Sequence, residues 1–182
     1  MEDSEAKINE YFYLIDRHIL KPIEDRLIDT SCYATIILLF AAIDSLGKLM
    51  HPNSKAGAGL RFKYFISSLG KNYEKNKDLL WELRNSLMHN ALNSISFFAS
   101  TYMGEDEHLE YYGPNNMIYI NTRKFFRDFK RRFKRTKDII LNDKLEIARI
   151  ANRLDWAADE TDSYLFDKPM TSPGTIYFLI EK

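Results

Sequence analysis

Residues 76–93 read NKDLLWELRNSLMHNALN, and this stretch decides the predicted fold. Its apolar residues recur every three or four positions, which predicts an amphipathic helix with one face on a core; they are Leu79, Leu80, Leu83, Leu87 and Ala91. The same helix carries Arg84, Asn85 and His89. Arg84 and His89 are five positions apart and therefore lie roughly 140° apart around the helix axis. Asn85 and His89 are four positions apart and can touch.

These three side chains suit attack on a phosphodiester. Arg84 keeps its charge at physiological pH and can hold phosphate oxygens with two N–H groups. His89, with an ordinary pKa of roughly 6.5, can accept or donate a proton near neutrality. RNA supplies its own nucleophile, the 2′-hydroxyl, so cleavage requires a base, an acid and charge stabilisation without a metal. The alternative is that Arg84 and His89 are solvated or capping residues near a helix C-terminus, where cations are favoured.

The stretch Arg84-Asn85-Ser86-Leu87-Met88-His89 resembles the Arg-x(4–6)-His motif of HEPN domains, in which a polar residue often follows the arginine. The similarity extends upstream to Ala41-Ala42-Ile43-Asp44-Ser45-Leu46-Gly47 and to residues 60–66, and it covers residues 5–95. It implies a helical bundle, usually dimeric, whose two motifs meet in an interfacial cleft. Many members are metal-independent endoribonucleases of toxin–antitoxin, antiphage or RNA-processing systems, whereas others have lost catalysis and only bind. The resemblance thus implies that Arg84, Asn85 and His89 are catalytic residues.

The composition predicts a folded, cytoplasmic chain. Its 182 residues are 45% apolar, which is sufficient for one domain with a sizeable core. Basic and acidic residues number 26 each, so the net charge alone indicates no polyanionic partner. The single cysteine, Cys32, excludes an intramolecular disulfide and suits a reducing compartment. The N-terminus is acidic, unlike a signal peptide, and the apolar run at residues 34–43 is about half the length that a bilayer requires.

The pattern along the chain predicts a single, mainly α domain, residues 1–182, that forms a HEPN-like helical bundle with a small β insertion. The predicted parts are a helical core (4–95), a β-hairpin or three-stranded element (95–121), C-terminal helices (122–158) and an irregular tail (159–182). Pro22 is expected to kink or break the first helix. The helix at 32–50 is apolar on most faces, so we expect it at the bundle centre or in a dimer interface. The loop at 51–59 is expected to be a connector, with a lid as the alternative. A short helix over residues 60–69 and then a polar turn are expected before the motif helix.

A strongly basic helix is predicted over residues 123–137, which hold nine cations between phenylalanines at helical spacing. A basic stripe is typical of a nucleic-acid surface. The expected RNA-binding residues are Arg123, Lys124, Arg127, Lys130, Arg131, Lys134 and Arg135. The alternative is a solvated face whose cations pair with acidic segments elsewhere, such as residues 155–162.

Asp44 interrupts the apolar helix at 32–50, where a carboxylate is costly without a partner. It is expected to support the motif by bonding Arg84 or His89; alternatively, it is partly solvated near the helix end or pairs with Lys48. The remaining histidines, His18, His51 and His108, have no metal-ligand spacing, and the acidic turn around His108 is expected to face solvent. We therefore expect no metal and no cofactor.

The sequence as a whole predicts a HEPN-like, metal-independent endoribonuclease that leaves a 2′,3′-cyclic phosphate. One histidine cannot easily be base and acid in one step, so a homodimer with the motif helix at its two-fold axis would supply two. RNA is the expected substrate, and an antitoxin or another protein is a further expected partner. The alternative is a non-catalytic HEPN-like module that binds nucleic acid or a protein. In that case the basic helix and residues 95–121 would carry the function.

Overall fold

The computed structural model describes residues 2–89, 97–102, 104–112 and 117–166, without the side chains of Glu2, His89, Tyr112 and residues 156–166. The helices are α1 (Glu2–Ile15), α2 (Ile28–Thr30), α3 (Cys32–Met50), α4 (Ala58–Ser67), α5 (Lys71–Lys75), α6 (Lys77–His89), α7 (Thr122–Leu141) and α8 (Lys144–Phe166). The strands are β1 (Phe97–Ser100), β2 (Tyr111–Tyr112) and β3 (Met117–Asn121). The prediction of a mainly α fold with a small β insertion is confirmed.

The helix does not break at Pro22. Two π-helical segments, Asp16–Leu20 and Ile23–Leu27, join α1 to α2, and the N–H of Lys21 donates to the carbonyl five residues back, on Asp16. The wider π turn accommodates proline, which lacks an N–H and whose ring needs room against the preceding turn. The helix ends at Ser31, whose backbone is extended and whose Oγ accepts from the N–H of Ala34 at 3.3 Å. Ser31 is therefore the N-cap of α3.

Helix α3 is the centre of the core, as its composition predicts, and it contacts α4, α6, α7 and α8. Its contact with α4 is so close that a Cβ on Gly47 would lie 2.5 Å from the carbonyl oxygen of Arg61. Among the described residues, α3 is the one helix long and apolar enough to cross a membrane, because it extends beyond the run at residues 34–43. Buried core helices meet the same criterion, so this length and composition are only weak signs of a membrane span.

The strands form one sheet in the order β1-β3-β2, which is the three-stranded form of the predicted element. β1 runs parallel to β3, with Phe97 opposite Ile118, and β2 runs antiparallel to β3. β3 leads directly into α7, where the Oδ1 of Asn121 accepts from the N–H of Lys124 at 2.9 Å and caps the helix. The sheet therefore fixes the start of the basic helix.

Two predicted boundaries need correction. Helix α8 continues to Phe166, so the tail expected to be irregular from residue 159 begins as helix, and residues 167–182 lie outside the described residues. The polar segment before the motif helix is not a plain turn but the short helix α5. The motif helix begins close to the expected position, and its predicted continuation to residue 93 lies outside the described residues.

Candidate functional site

Helix α6 buries one face and presents the motif on the other. Leu80 and Leu83 are buried against the core, as the leucine spacing predicts. Arg84 and Asn85 are partly exposed, and His89 is the last described residue of the helix. The position of the His89 side chain lies outside the description, and so do its expected contact with Asn85 and its distance from Arg84. The backbone places His89 roughly 7.5 Å further along the axis than Arg84.

Arg84 forms a two-point contact with Asp44 of α3. Its Nε donates to the Oδ2 of Asp44 at 2.8 Å, and its Nη2 lies 2.6 Å from the same oxygen. The side chains are only 17% and 24% exposed, so water screens this ion pair less than a surface pair. Arg84 was one of the partners expected for Asp44, and the structure shows this pairing. The residue lies six positions before the end of α3 and is partly exposed, so it is both partly solvated and paired with Arg84.

Two further contacts hold the guanidinium of Arg84. Its Nη1 donates to the Oδ1 of Asn85 at 3.1 Å, and its carbon lies 5.3 Å from the ring centre of Trp81, a cation–π distance. Trp81 is itself packed on α4, with its ring centre 5.5 Å from that of Phe62 and its edge against Gly59. The orientation of Arg84 is thus set by α3, α4 and α6 together.

Partial burial makes Asp44 electrostatically unusual. Desolvation raises the pKa of this carboxyl above its ordinary value, and the hydrogen bond and charge of Arg84 offset only part of the rise. The carboxylate is therefore costly to bury, and its main compensation is the guanidinium. An arginine held this way is a positioned cation on a helix surface, which is the kind of group that binds an anionic oxygen.

Most of the expected RNA-binding cations on α7 have carboxylate partners. The pairs are Arg123 with Asp29, Lys124 with Asp128, Arg127 with Glu105, Lys130 with Glu24, and Arg131 with Asp128. These acids lie outside residues 155–162, and Asp155 instead pairs with Lys7. Lys134 and Arg135 are exposed and have no carboxylate partner within the described part of the chain. The RNA-binding role of the seven cations stays a prediction.

A second basic surface, which the sequence analysis missed, lies on α4. An open groove of about 530 Å³ is lined by Leu60, Lys63, Tyr64, Ser67, Ser68, Glu74, Lys77 and Arg132. Four of these, Leu60, Lys63, Tyr64 and Ser67, follow the i, i+3, i+4, i+7 spacing of one helix face, and that spacing was the available signal. We call this feature the α4 groove. Lys77 and Arg132 reach it from α6 and α7, which only the folded chain reveals.

The acidic residues Glu105 and Asp106 face solvent as expected, but His108 does not. The side chain is fully buried, and its Nδ1 accepts from the backbone N–H of Asn121 at 3.1 Å. Its Nε2 therefore donates to the hydroxyl of Tyr73 at 2.9 Å, and that hydroxyl donates to Asp128 at 3.1 Å. Burial lowers the pKa of His108 to about 4, so the ring is neutral at physiological pH. This network joins α5, the β element and α7.

No group of three or more His, Cys, Asp or Glu side chains that could hold a metal ion occurs among the described residues. Comparison of the chain with protein-family models, curated proteins and solved structures gives no match. The likeness to HEPN domains remains a prediction carried by residues 84–89 and the helices around them.

Proposed function

We propose that this protein is a metal-independent endoribonuclease of HEPN-like type that acts as a cytoplasmic homodimer. The observation that carries the proposal is the position of the Arg84 guanidinium. It is held by Asp44 and Asn85 on the helix that also includes His89. An oriented cation and an imidazole carried by the same helix would provide the two functions that phosphodiester transfer within RNA requires.

In the proposed reaction the 2′-oxygen of one nucleotide attacks the adjacent phosphorus. The His89 of one protomer accepts the 2′-hydroxyl proton as the new P–O bond forms. The His89 of the second protomer donates a proton to the 5′-oxygen as the P–O5′ bond breaks. The products are a 2′,3′-cyclic phosphate and a free 5′-hydroxyl. Arg84 holds the phosphate and stabilises the charge that develops on its oxygens.

A second candidate function is a non-catalytic module that binds nucleic acid or a protein, such as an antitoxin. One observation favours it: the Arg84 guanidinium is bonded by a carboxylate, as expected of a residue that joins two helices. Under this alternative Arg84 and Asp44 stabilise the packing of α6 on α3, and binding is carried by other surfaces. The two candidates differ in whether any variant at His89 changes a chemical rate.

The test is cleavage of a panel of fluorescent single-stranded RNAs in EDTA by wild type, His89→Ala and Arg84→Lys. We expect wild type to cut and to leave cyclic-phosphate ends. His89→Ala should abolish cutting with little loss of RNA affinity, and Arg84→Lys should lower cutting because lysine lacks the planar fork.

The matched control is His18→Ala, which removes an exposed histidine on a distant π-helical segment and should cut like wild type. Equal cutting by wild type and His89→Ala would show that the activity belongs to another site or to a contaminant. Absence of cutting by wild type, combined with measurable RNA binding, would favour the binding module.

A further inference from the structure

We propose that the α4 groove binds a single strand of RNA, with its phosphates on Lys77 and Arg132 and a base on the ring of Tyr64. RNA as the ligand rests on the proposed function, whereas the groove itself is an observation. It is a site separate from Arg84 and from the predicted contacts on α7.

The shape and charge of the groove fit an anionic chain. Its volume of about 530 Å³ lies within the roughly 300–1,000 Å³ of typical ligand sites, and it is open along one side, as a polymer requires. Three of its lining residues are cationic and one, Glu74, is acidic; Lys63 is paired with Asp78 at 2.6 Å, which leaves a net +1 carried by Lys77 and Arg132. Positive grooves of this kind follow the backbone of single strands.

Arg132 is the least compensated of these cations. Its Nε is buried without a hydrogen-bond partner, and within the described part of the chain no carboxylate pairs with it, unlike the five paired cations of α7. Burial and the nearby charge of Arg135 both lower its pKa. A phosphate in the groove would relieve the repulsion between the two arginines.

Tyr64 provides the aromatic component. Its side chain is 46% exposed on a helix whose neighbouring phenylalanines are buried, and its ring is held edge-on by His51, with ring centres 5.1 Å apart. An aromatic ring that is fixed and half open is a platform on which any base can stack. Ser67 and Ser68 line the same groove, and their hydroxyls donate to the backbone carbonyls of Lys63 and Phe65.

The groove is linked to the candidate site through α4. Leu60 lines the groove, the adjacent Gly59 lies against Trp81, and the Trp81 ring contacts Arg84. The Leu60 end of the groove is therefore joined to the Arg84 site by direct packing. This continuity deepens the proposed function by giving the substrate a second anchor outside the reacting phosphate.

The experiment measures fluorescence anisotropy of a labelled, fully 2′-O-methylated oligouridine of about twelve nucleotides, which spans a typical single-strand site but cannot be cut. The proteins are wild type, Lys77→Gln/Arg132→Gln and Tyr64→Ala. The matched control is Lys55→Gln/Lys144→Gln, which removes two exposed cations elsewhere. Circular dichroism verifies that each variant is folded.

We expect the Lys77→Gln/Arg132→Gln variant to bind at least tenfold more weakly. The slope of log K against log salt should also fall by about 1.4, because each lost phosphate contact on a single strand removes about 0.7. Tyr64→Ala should weaken binding at least fivefold without changing that slope, since stacking is not ionic. The control should match wild type. Equal losses in the control and groove variants, or no binding by wild type, would overturn the inference.

Cleavage of an unmodified RNA by the same proteins separates this inference from the proposed function. If wild type cuts and the groove variants bind normally, the inference is wrong and the nuclease stands. If wild type binds through the groove but does not cut, the groove stands and the nuclease is wrong. If both hold, the groove variants should raise KM more than they lower kcat.

Discussion

The burial of His108 predicts a specific loss of stability in acid. A neutral ring is required because Nδ1 accepts from the N–H of Asn121, and a proton on Nδ1 would place two donors face to face. The charges near the ring act on its pKa in both directions: Lys124 lowers the pKa, whereas Asp128 and Glu105 raise it. Desolvation is the largest cause, so the fold itself sets the low pKa.

The direction of the effect follows from which state binds the proton more readily. In the unfolded chain His108 has an ordinary pKa of 6.5, against about 4 in the folded chain. Protonation between these values therefore favours unfolding, and the contribution of His108 is intact above pH 6.5 and lost as the pH falls towards 4. The loss is about 2 kcal/mol at about pH 5 and about 3 kcal/mol in the limit, as an order of magnitude.

The assay is urea unfolding followed by circular dichroism at about pH 7 and about pH 5 at fixed protein concentration, with wild type, His108→Gln and His18→Gln. His108→Gln should be less stable at neutral pH, because it loses one of two buried hydrogen bonds, but its stability should fall less on acidification. His18→Gln should keep the wild-type pH dependence. An identical pH dependence in wild type and His108→Gln would refute the reasoning.

Two further changes test the packing around the candidate site. Gly47→Ala should lower the free energy of unfolding by about 2–3 kcal/mol, because its Cβ would lie 2.5 Å from the carbonyl oxygen of Arg61. In the control, Gly57→Ala, the added Cβ meets nothing within 4 Å and should change this free energy by less than about 0.5 kcal/mol. Thermal melts compare the two variants. Asp44→Asn should cost about 1–2 kcal/mol, since it leaves a partly buried Arg84 without its counter-ion, and it should also reduce RNA cleavage. Unchanged melting and cutting in Asp44→Asn would show that the ion pair neither stabilises the fold nor orients Arg84.

Elements specified by local sequence could be predicted closely. The bounds of α3 and α7 follow from a continuous apolar pattern and from capping side chains, Ser31 and Asn121, next to the helices that they cap. The π-helical segments on either side of Pro22 were not predicted, because a π turn leaves no signal in hydrophobic periodicity. The continuation of α8 was missed because its last turns are acidic and polar.

Contacts between distant segments could be predicted only in part. The cost of burying a carboxylate indicated that Asp44 needs a partner, but its pairing with Arg84 depends on how α6 packs on α3, forty residues away in sequence. His108 was misplaced for the same reason, since its acidic neighbours suggest solvent and its partner Tyr73 lies thirty-five residues earlier. Sequence gives the requirement for a partner, and packing selects which one.

The bonds of Arg84 also indicate where a phosphate would approach in the proposed reaction. Nε and Nη2 face the carboxylate of Asp44, whereas Nη1 faces the neutral amide of Asn85. A hydrogen bond between charged groups is roughly twice as strong as a neutral one, so an incoming phosphate displaces the amide more readily than the carboxylate. Asp44 would then stay bound and keep the guanidinium oriented while Asn85 yields its place. On this account Asp44 is a positioning residue that never touches RNA, and its removal lowers cleavage through Arg84 alone.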